Sequence, residues 1–173
     1  MVKSKIKIAV SSCLLGEAVR YDGTDKHIKY ITLYLAKEYK LVSICPEMAV
    51  GMGVPRPPIH LVEKGSSIEV EGVADASCNM TKQLKSYAVE IIKKHSEICG
   101  YIFKKNSPSC GTKNVKVLTE NGNYENKGQG IFAAMIIQYL PDLPIIDEED
   151  LLNENLQHDF LYKVEMYAQK RNL

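Results

Sequence analysis

The chain has 173 residues, 45% hydrophobic and 25% charged, a profile that fits one soluble domain large enough to bury a core without disulfide staples. Its net charge of +1 excludes a globally basic nucleic-acid binder, and its longest apolar run, Ile131 to Ile137, is far too short to span a bilayer. Five cysteines cannot all pair within one chain, and the lack of any CxxC argues against a zinc ribbon, a thioredoxin-type motif and a c-type haem site.

Lys3, Lys5 and Lys7 are dispersed through the start of a strand-like run, whereas a signal peptide needs a long apolar stretch after its basic end. A cytoplasmic, reducing setting is therefore expected, in which cysteines stay free, bind metal or act in catalysis. Residues 5–11 carry the β-branched run IKIAV and predict a first strand that stops near Gly16. Apolar residues at 28, 31, 35 and 39 predict a helix over 25–40. The run 41–45 reads as a second buried strand, stopped by Pro46. The proline-rich stretch up to Pro58 reads as a stiff loop.

Gly65-Ser66-Ser67 lies between two β-rich pieces and suggests a hairpin within 59–74. Residues 84, 87, 88, 91, 95 and 98 form an apolar stripe and predict a helix over 82–98, capped by Thr81 and stopped by Gly100. A third strand follows over 101–104 and runs into NSPSCG. The segment 122–130 is polar and glycine-rich. Residues 130–140 predict a buried helix ended by Pro141, 143–146 a fourth strand, and 154–170 a last amphipathic helix. Alternating strands and helices imply parallel strands covered on both sides. The expected fold is a single α/β domain: a mostly parallel open sheet of four to five strands in a Rossmann-like three-layer architecture.

In such a sheet, ligands bind at the carboxyl ends of the strands. Cys13 follows the first strand, Cys45 closes the second and Cys110 follows the third. Cysteines 32 and 65 residues apart can therefore meet in one crevice. Each lies among turn formers and small polar residues, in SSCLLG, CPE and SPSCG, whose amides can support a thiolate. The competing reading is that all three are small buried hydrophobes. Cys99 sits beside the apolar stripe and reads as core, and Cys78 precedes a helix in a segment without a clear role. Three thiolates leave a fourth metal position open to water or substrate, the mark of a catalytic rather than a structural site.

The stretches VSSCLLGEAVRYDG (10–23), ICPEMAVGMGVPRPPI (44–59), KNSPSCG (105–111) and GQGIFAAMIIQYLPDLPIIDEEDL (128–151) resemble the thiouracil desulfurase family, long catalogued as a domain of unknown function. The likeness spans about residues 6–152. It assigns 1–152 to a desulfurase-like α/β domain and 153–173 to a C-terminal helix packed on it or extending it. The resemblance implies a [4Fe–4S] cluster held by Cys13, Cys45 and Cys110, with one iron open to the substrate's sulfur. It also implies non-redox removal of sulfur from a thiocarbonyl such as 2-thiouracil, leaving a carbonyl and hydrogen sulfide. Glu47 resembles the family's general acid/base. Ser107 is favoured by the family motif as a catalytic hydrogen-bond donor, and Ser109 is a second candidate beside it for substrate binding.

Arg20 and Arg56 lie in matched loops and are candidates for substrate binding or for offsetting cluster charge; a structural salt bridge is the alternative for each. The GQG at 128–130 opens a helix, where a tight helix start is the safer reading than an anion site. The four histidines lack metal-ligand spacing. The expected partner is a small thiolated base, without membrane insertion and without bulk nucleic-acid binding; oligomeric state is not readable. Two other classes compete: a sensor or binding protein that holds zinc or a labile cluster without chemistry, and a metal-free cysteine-nucleophile enzyme.

Overall fold

The computed structural model describes residues 5–173. Lys3 and the first four positions of the segment 1–152 lie outside the described residues. Sheet A has the strand order β2-β1-β5-β8 and is parallel throughout, built from β1 (Lys7–Ser11), β2 (Lys40–Ile44), β5 (Ile98–Phe103) and β8 (Ile145–Asp147). The two central strands are buried on both faces. Ile8, Ala9 and Val10 of β1 are fully buried and all six residues of β5 are buried, which is why both read as near-continuous apolar runs.

One face of sheet A presents Ile8, Val10 and Ile102. It packs against Ile31 and Leu35 of a π-helical segment (Ile31–Leu35) that continues into α1 (Ala36–Glu38), and against Phe160 and Val164 of α6 (Glu154–Lys170). The other face presents Ala9, Tyr101 and Phe103 to α3 (Thr81–Lys94) and α4 (Ile131–Tyr139). The result is the three-layer α/β arrangement expected. Among the described residues no helix is long and apolar enough to cross a membrane.

A second sheet, B, was not anticipated. Hairpin β3–β4 (Ile59–Lys64, Ser67–Gly72) joins hairpin β6–β7 (Val115–Leu118, Tyr124–Gly128) through parallel pairing of β3 with β6. The first hairpin turns at Gly65 as expected. The second is invisible to periodicity because four of the five β7 residues are exposed, so no apolar alternation marks it. Leu61, Val70, Val115 and Val117 seat sheet B on Leu84 of α3 and Ile131 of α4.

Three other expectations are corrected. The helix anticipated over 25–40 begins only near residue 29. Lys26 and Ile28 donate their amides to the carbonyls of Cys13 and Leu14, and the Asp25 carboxylate accepts the His27 amide, so residues 25–28 run along the Cys13 turn as irregular chain. Helix α3 ends at Lys94, and Ile98 already belongs to β5. Gly100 is thus a strand residue. A Cβ there would stand 2.6 Å from Val164 Cγ2 and 3.2 Å from Phe160 Cζ, so its bareness lets α6 lie directly on the sheet. Thr81 does not cap α3: it is the first helical residue, and its hydroxyl accepts the Val70 amide at 2.8 Å, tying the helix to β4.

Candidate functional site

Three adjacent strands of sheet A deliver the three cysteines to one edge. After β1 the chain makes a 3-10 turn (Ser12–Leu15) that carries Cys13 and ends in left-handed Gly16. After β2, Cys45 is the N-cap of a short helix, α2 (Pro46–Ala49), within the stretch expected to be loop. Proline at N1 suits that start, since the missing amide has no helical partner there. After β5, residues 104–111 form a loop held by its own serine: the amides of Ser109 and Cys110 donate to Ser107 Oγ at 3.2 and 3.0 Å.

That loop is also bonded to the start of α4. The amides of Gly130, Ile131 and Ala133 donate to the carbonyls of Gly111, Pro108 and Ser109 at 2.8, 3.0 and 3.0 Å. The first orphan donors of α4 are therefore spent on the cysteine loop, and GQG is a tight helix start. A Cβ at Gly130 would lie 2.5 Å from the Ser109 carbonyl, so only glycine permits this seam.

Cys13, Cys45 and Cys110 line a cavity of about 370 Å³, together with Glu47, Ser107 and Arg20. Arg56 and Lys104 complete its polar wall. Of the candidate metal, catalytic and substrate-binding residues, only Ser109 stands behind the lining, fully buried. Cys99 is buried in β5 and Cys78 is exposed, both outside the cavity. No histidine lines it; His27 and His60 are engaged instead by Thr32 and Tyr124.

Burial dominates the electrostatics of the thiols. It pushes Cys13 up to about 11, against the nearby Lys104, with Cys45 adding to the rise. Cys45 is raised by burial in spite of the amide of Met48. Cys110 is held well above the ordinary thiol range by burial, then by Glu47 and Cys45, with a hydrogen bond from Ser11 working the other way. Without a metal these groups are protonated at neutral pH and are poor nucleophiles, which counts against metal-free cysteine chemistry. A metal centre reverses the balance, because its positive charge favours thiolates and displaces their protons.

Among the described residues no three His, Cys, Asp or Glu side chains converge closely enough to hold one metal ion. Three soft thiol donors around one cavity could hold an iron–sulfur cluster.

Glu47 is held from two sides. Its Oε2 accepts from Arg56 Nε at 2.9 Å and from a terminal nitrogen of the same guanidinium at 2.6 Å; its Oε1 accepts from Ser109 Oγ at 2.8 Å. Arg56 is itself buried, and its remaining donors go to the carbonyls of Gly53 and Val19 and to Met48 Sδ. All five guanidinium donors are thus in use. Arg20 contrasts with it: its Nε is buried without a partner among the described residues, and the Asp22 carboxylate lies 3.7 Å away.

Two site residues escaped the sequence reading. Lys104 faces the cavity with its ammonium bonded to Glu148 and to the Lys105 carbonyl, and Ser11 accepts the Lys104 amide at 3.0 Å while supporting Cys110. Their signal was position: both sit at the carboxyl end of a buried parallel strand, where the ligand rule already pointed.

A family model described as 2-thiouracil desulfurase matches residues 8–148. The protein YbbK of Bacillus subtilis (strain 168), itself uncharacterized, is 31% identical over 140 residues, covering 76% of this chain and 89% of that one. The solved structure of the [4Fe-4S]-dependent thiouracil desulfidase TudS (DUF523Vcz) superposes with a TM-score of 0.66 at 28% identity, over 91% of this chain and 99% of the other. With the three-cysteine edge, the family match over most of its length and the shared fold, the chain belongs to the 2-thiouracil desulfurase family.

Proposed function

We propose that this protein hydrolyses the thiocarbonyl of a thiolated base such as 2-thiouracil at a [4Fe–4S] cluster held by Cys13, Cys45 and Cys110. One observation carries the reading: thiols from three adjacent strand ends share a cavity with a carboxylate clamped on both oxygens. In the reaction water's oxygen forms the new C=O bond, the C=S bond breaks, and the sulfur leaves with water's two protons as hydrogen sulfide. No electrons are exchanged. When bound, the cluster supplies an open, soft iron that takes the thiocarbonyl sulfur and draws charge from its carbon.

The remaining work falls to the chain. A carboxylate offers about four acceptor positions. Arg56 fills two on Oε2 and Ser109 one on Oε1, which leaves a position on Oε1 to take a proton from water. With its donors committed, Arg56 orients Glu47 rather than the substrate, and Ser109 does the same from the other side. Ser107 accepts two amides, so its own proton is free to point into the cavity toward the base. Arg20 lines the same wall and is the better candidate for a substrate oxygen. A cytoplasmic setting, where thiols stay reduced, fits this use of cysteine.

The test is anaerobic purification followed by assay. The expected result is a brown protein with about four irons and four sulfides per chain, which converts 2-thiouracil to uracil with release of sulfide. A chain that stays colourless after anaerobic reconstitution, or that holds zinc instead, would replace this reading with that of a binding or sensing protein.

A further inference from the structure

An open iron and a water-activating carboxylate act on a C=S bond whatever carries it. A small thioamide has that bond as much as a thiolated base does, so discrimination between them falls to the rest of the wall. Among the described residues Tyr21 is the one aromatic side chain that lines the cysteine cavity, and it is 43% exposed. The other exposed tyrosines lie elsewhere, Tyr34 stacked on Tyr30 and Tyr124 bonded to His60.

The chain fixes Tyr21 relative to the reacting groups. It is a central residue of a turn in which the Gly23 amide donates to the Arg20 carbonyl at 2.9 Å. Asp22 Oδ1 closes that turn by accepting the Thr24 amide at 3.1 Å and the Thr24 hydroxyl at 2.6 Å. Arg56 ties the turn to the site. Its amide donates to the Tyr21 carbonyl at 2.9 Å, and its guanidinium donates to the Val19 carbonyl at 2.9 Å as well as to the Glu47 carboxylate. One residue thus holds both Glu47 and the turn that carries the ring. The guanidinium carbon of Arg20 lies 5.9 Å from the centre of the Tyr21 ring, so the candidate for a substrate oxygen adjoins it.

An aromatic ring whose backbone is pinned while its side chain stays exposed at a cavity wall is suited to stacking, because every base has a π face. We propose that Tyr21 is a specificity-determining residue: its ring covers one face of the bound thiolated base, so that the site favours flat heteroaromatic thiocarbonyls over non-aromatic thioamides. This role rests on the desulfurase function proposed above. Tyr21 reads the face of the substrate, whereas Arg20 and Ser107 read its polar edge. Stacking stabilises bound substrate and transition state alike, so it registers in KM more than in kcat.

The test compares Tyr21→Ala, Tyr21→Leu and Tyr21→Phe in the cluster-loaded protein. Tyr21→Ala is expected to raise the KM for 2-thiouracil roughly 5- to 150-fold, the usual worth of stacking one base, with kcat changed far less. Equilibrium binding of uracil, which involves no chemistry, is expected to weaken in parallel. Tyr21→Phe keeps the ring and is expected to restore the wild-type KM; Tyr21→Leu is apolar without a ring and is expected to behave like Tyr21→Ala. Thioacetamide, added as a competing thiocarbonyl, is expected to inhibit wild type and variants alike. If Tyr21→Ala keeps the wild-type KM, if Tyr21→Leu restores it as fully as Tyr21→Phe, or if thioacetamide inhibition weakens along with thiouracil affinity, Tyr21 does not stack on the base and the desulfurase reading stands without it. The Leu and Phe variants carry the test should Tyr21→Ala not fold. If the wild-type protein takes up no cluster, or loads one and leaves 2-thiouracil intact, the desulfurase reading fails and this role with it.

Discussion

Two hollows of the molecule differ in kind. A groove of about 1110 Å³ runs along β8 between the end of α4 and α6, three times the volume of the cysteine cavity. Its charges pair with one another at the surface, Lys163 with Asp159 at 2.5 Å and Lys113 with Asp150 at 2.6 Å. Such exposed pairs contribute about 0–1 kcal/mol each. The smaller cavity holds three thiols, Cys13 and Cys110 buried and Cys45 half-buried, and its carboxylate is paired with a buried guanidinium. Volume records where edge strand β8 leaves the layers uncovered. Chemistry collects where side chains from distant stretches of chain are fixed against each other.

Substitutions can break or sharpen that contrast. Alanine at Cys13, Cys45 or Cys110 should have the largest effect, abolishing cluster retention, read as loss of iron, sulfide and colour after anaerobic reconstitution. Full retention in any one of the three would remove that cysteine from the ligand set. Glu47→Gln should keep the cluster and lower turnover of 2-thiouracil by roughly 10²–10⁴-fold, the usual worth of a positioned acid/base. It should also lower the melting temperature, because Arg56 is left buried without its counter-ion. Unchanged turnover would show that Glu47 does not handle the proton.

Ser109→Ala takes away a charge-assisted hydrogen bond to the Glu47 carboxylate, about 1.5–3 kcal/mol or roughly 10- to 10²-fold in turnover. Cluster content should be unaffected. Lys163→Ala, in the larger groove, should leave turnover unchanged and stability within about 0.5 kcal/mol, measured by denaturant titration. A tenfold loss of turnover from that change would make the groove part of the working site and erase the distinction between the two hollows.

What could be read in advance follows from burial. Strands β1 and β5 announce themselves because both are covered on two sides, and α6 is bounded correctly at 154–170 because its polar face is exposed. Strand β7 hid for the opposite reason, being exposed along most of its length. The α3–β5 boundary was misplaced because Ile98 continues the apolar stripe, and Gly100 looks like a helix stop until Val164 is seen against it. The cysteines were legible from their place after strands. The hold of Ser109 on Glu47 was not: it joins residues 62 positions apart and exists only because the Cys110 loop docks on α4.

The delivery of three ligands by neighbouring strands has a consequence for the chain as a polymer. Cys13, Cys45 and Cys110 are 32 and 65 residues apart. A cluster gripping all three would be a three-way crosslink that closes two long loops at once. In a disulfide, closures of such length restrict the unfolded ensemble by roughly 3–5 kcal/mol. The cofactor would then act as a staple across β2, β1 and β5, and oxidative loss of iron would loosen the scaffold as well as silence the site.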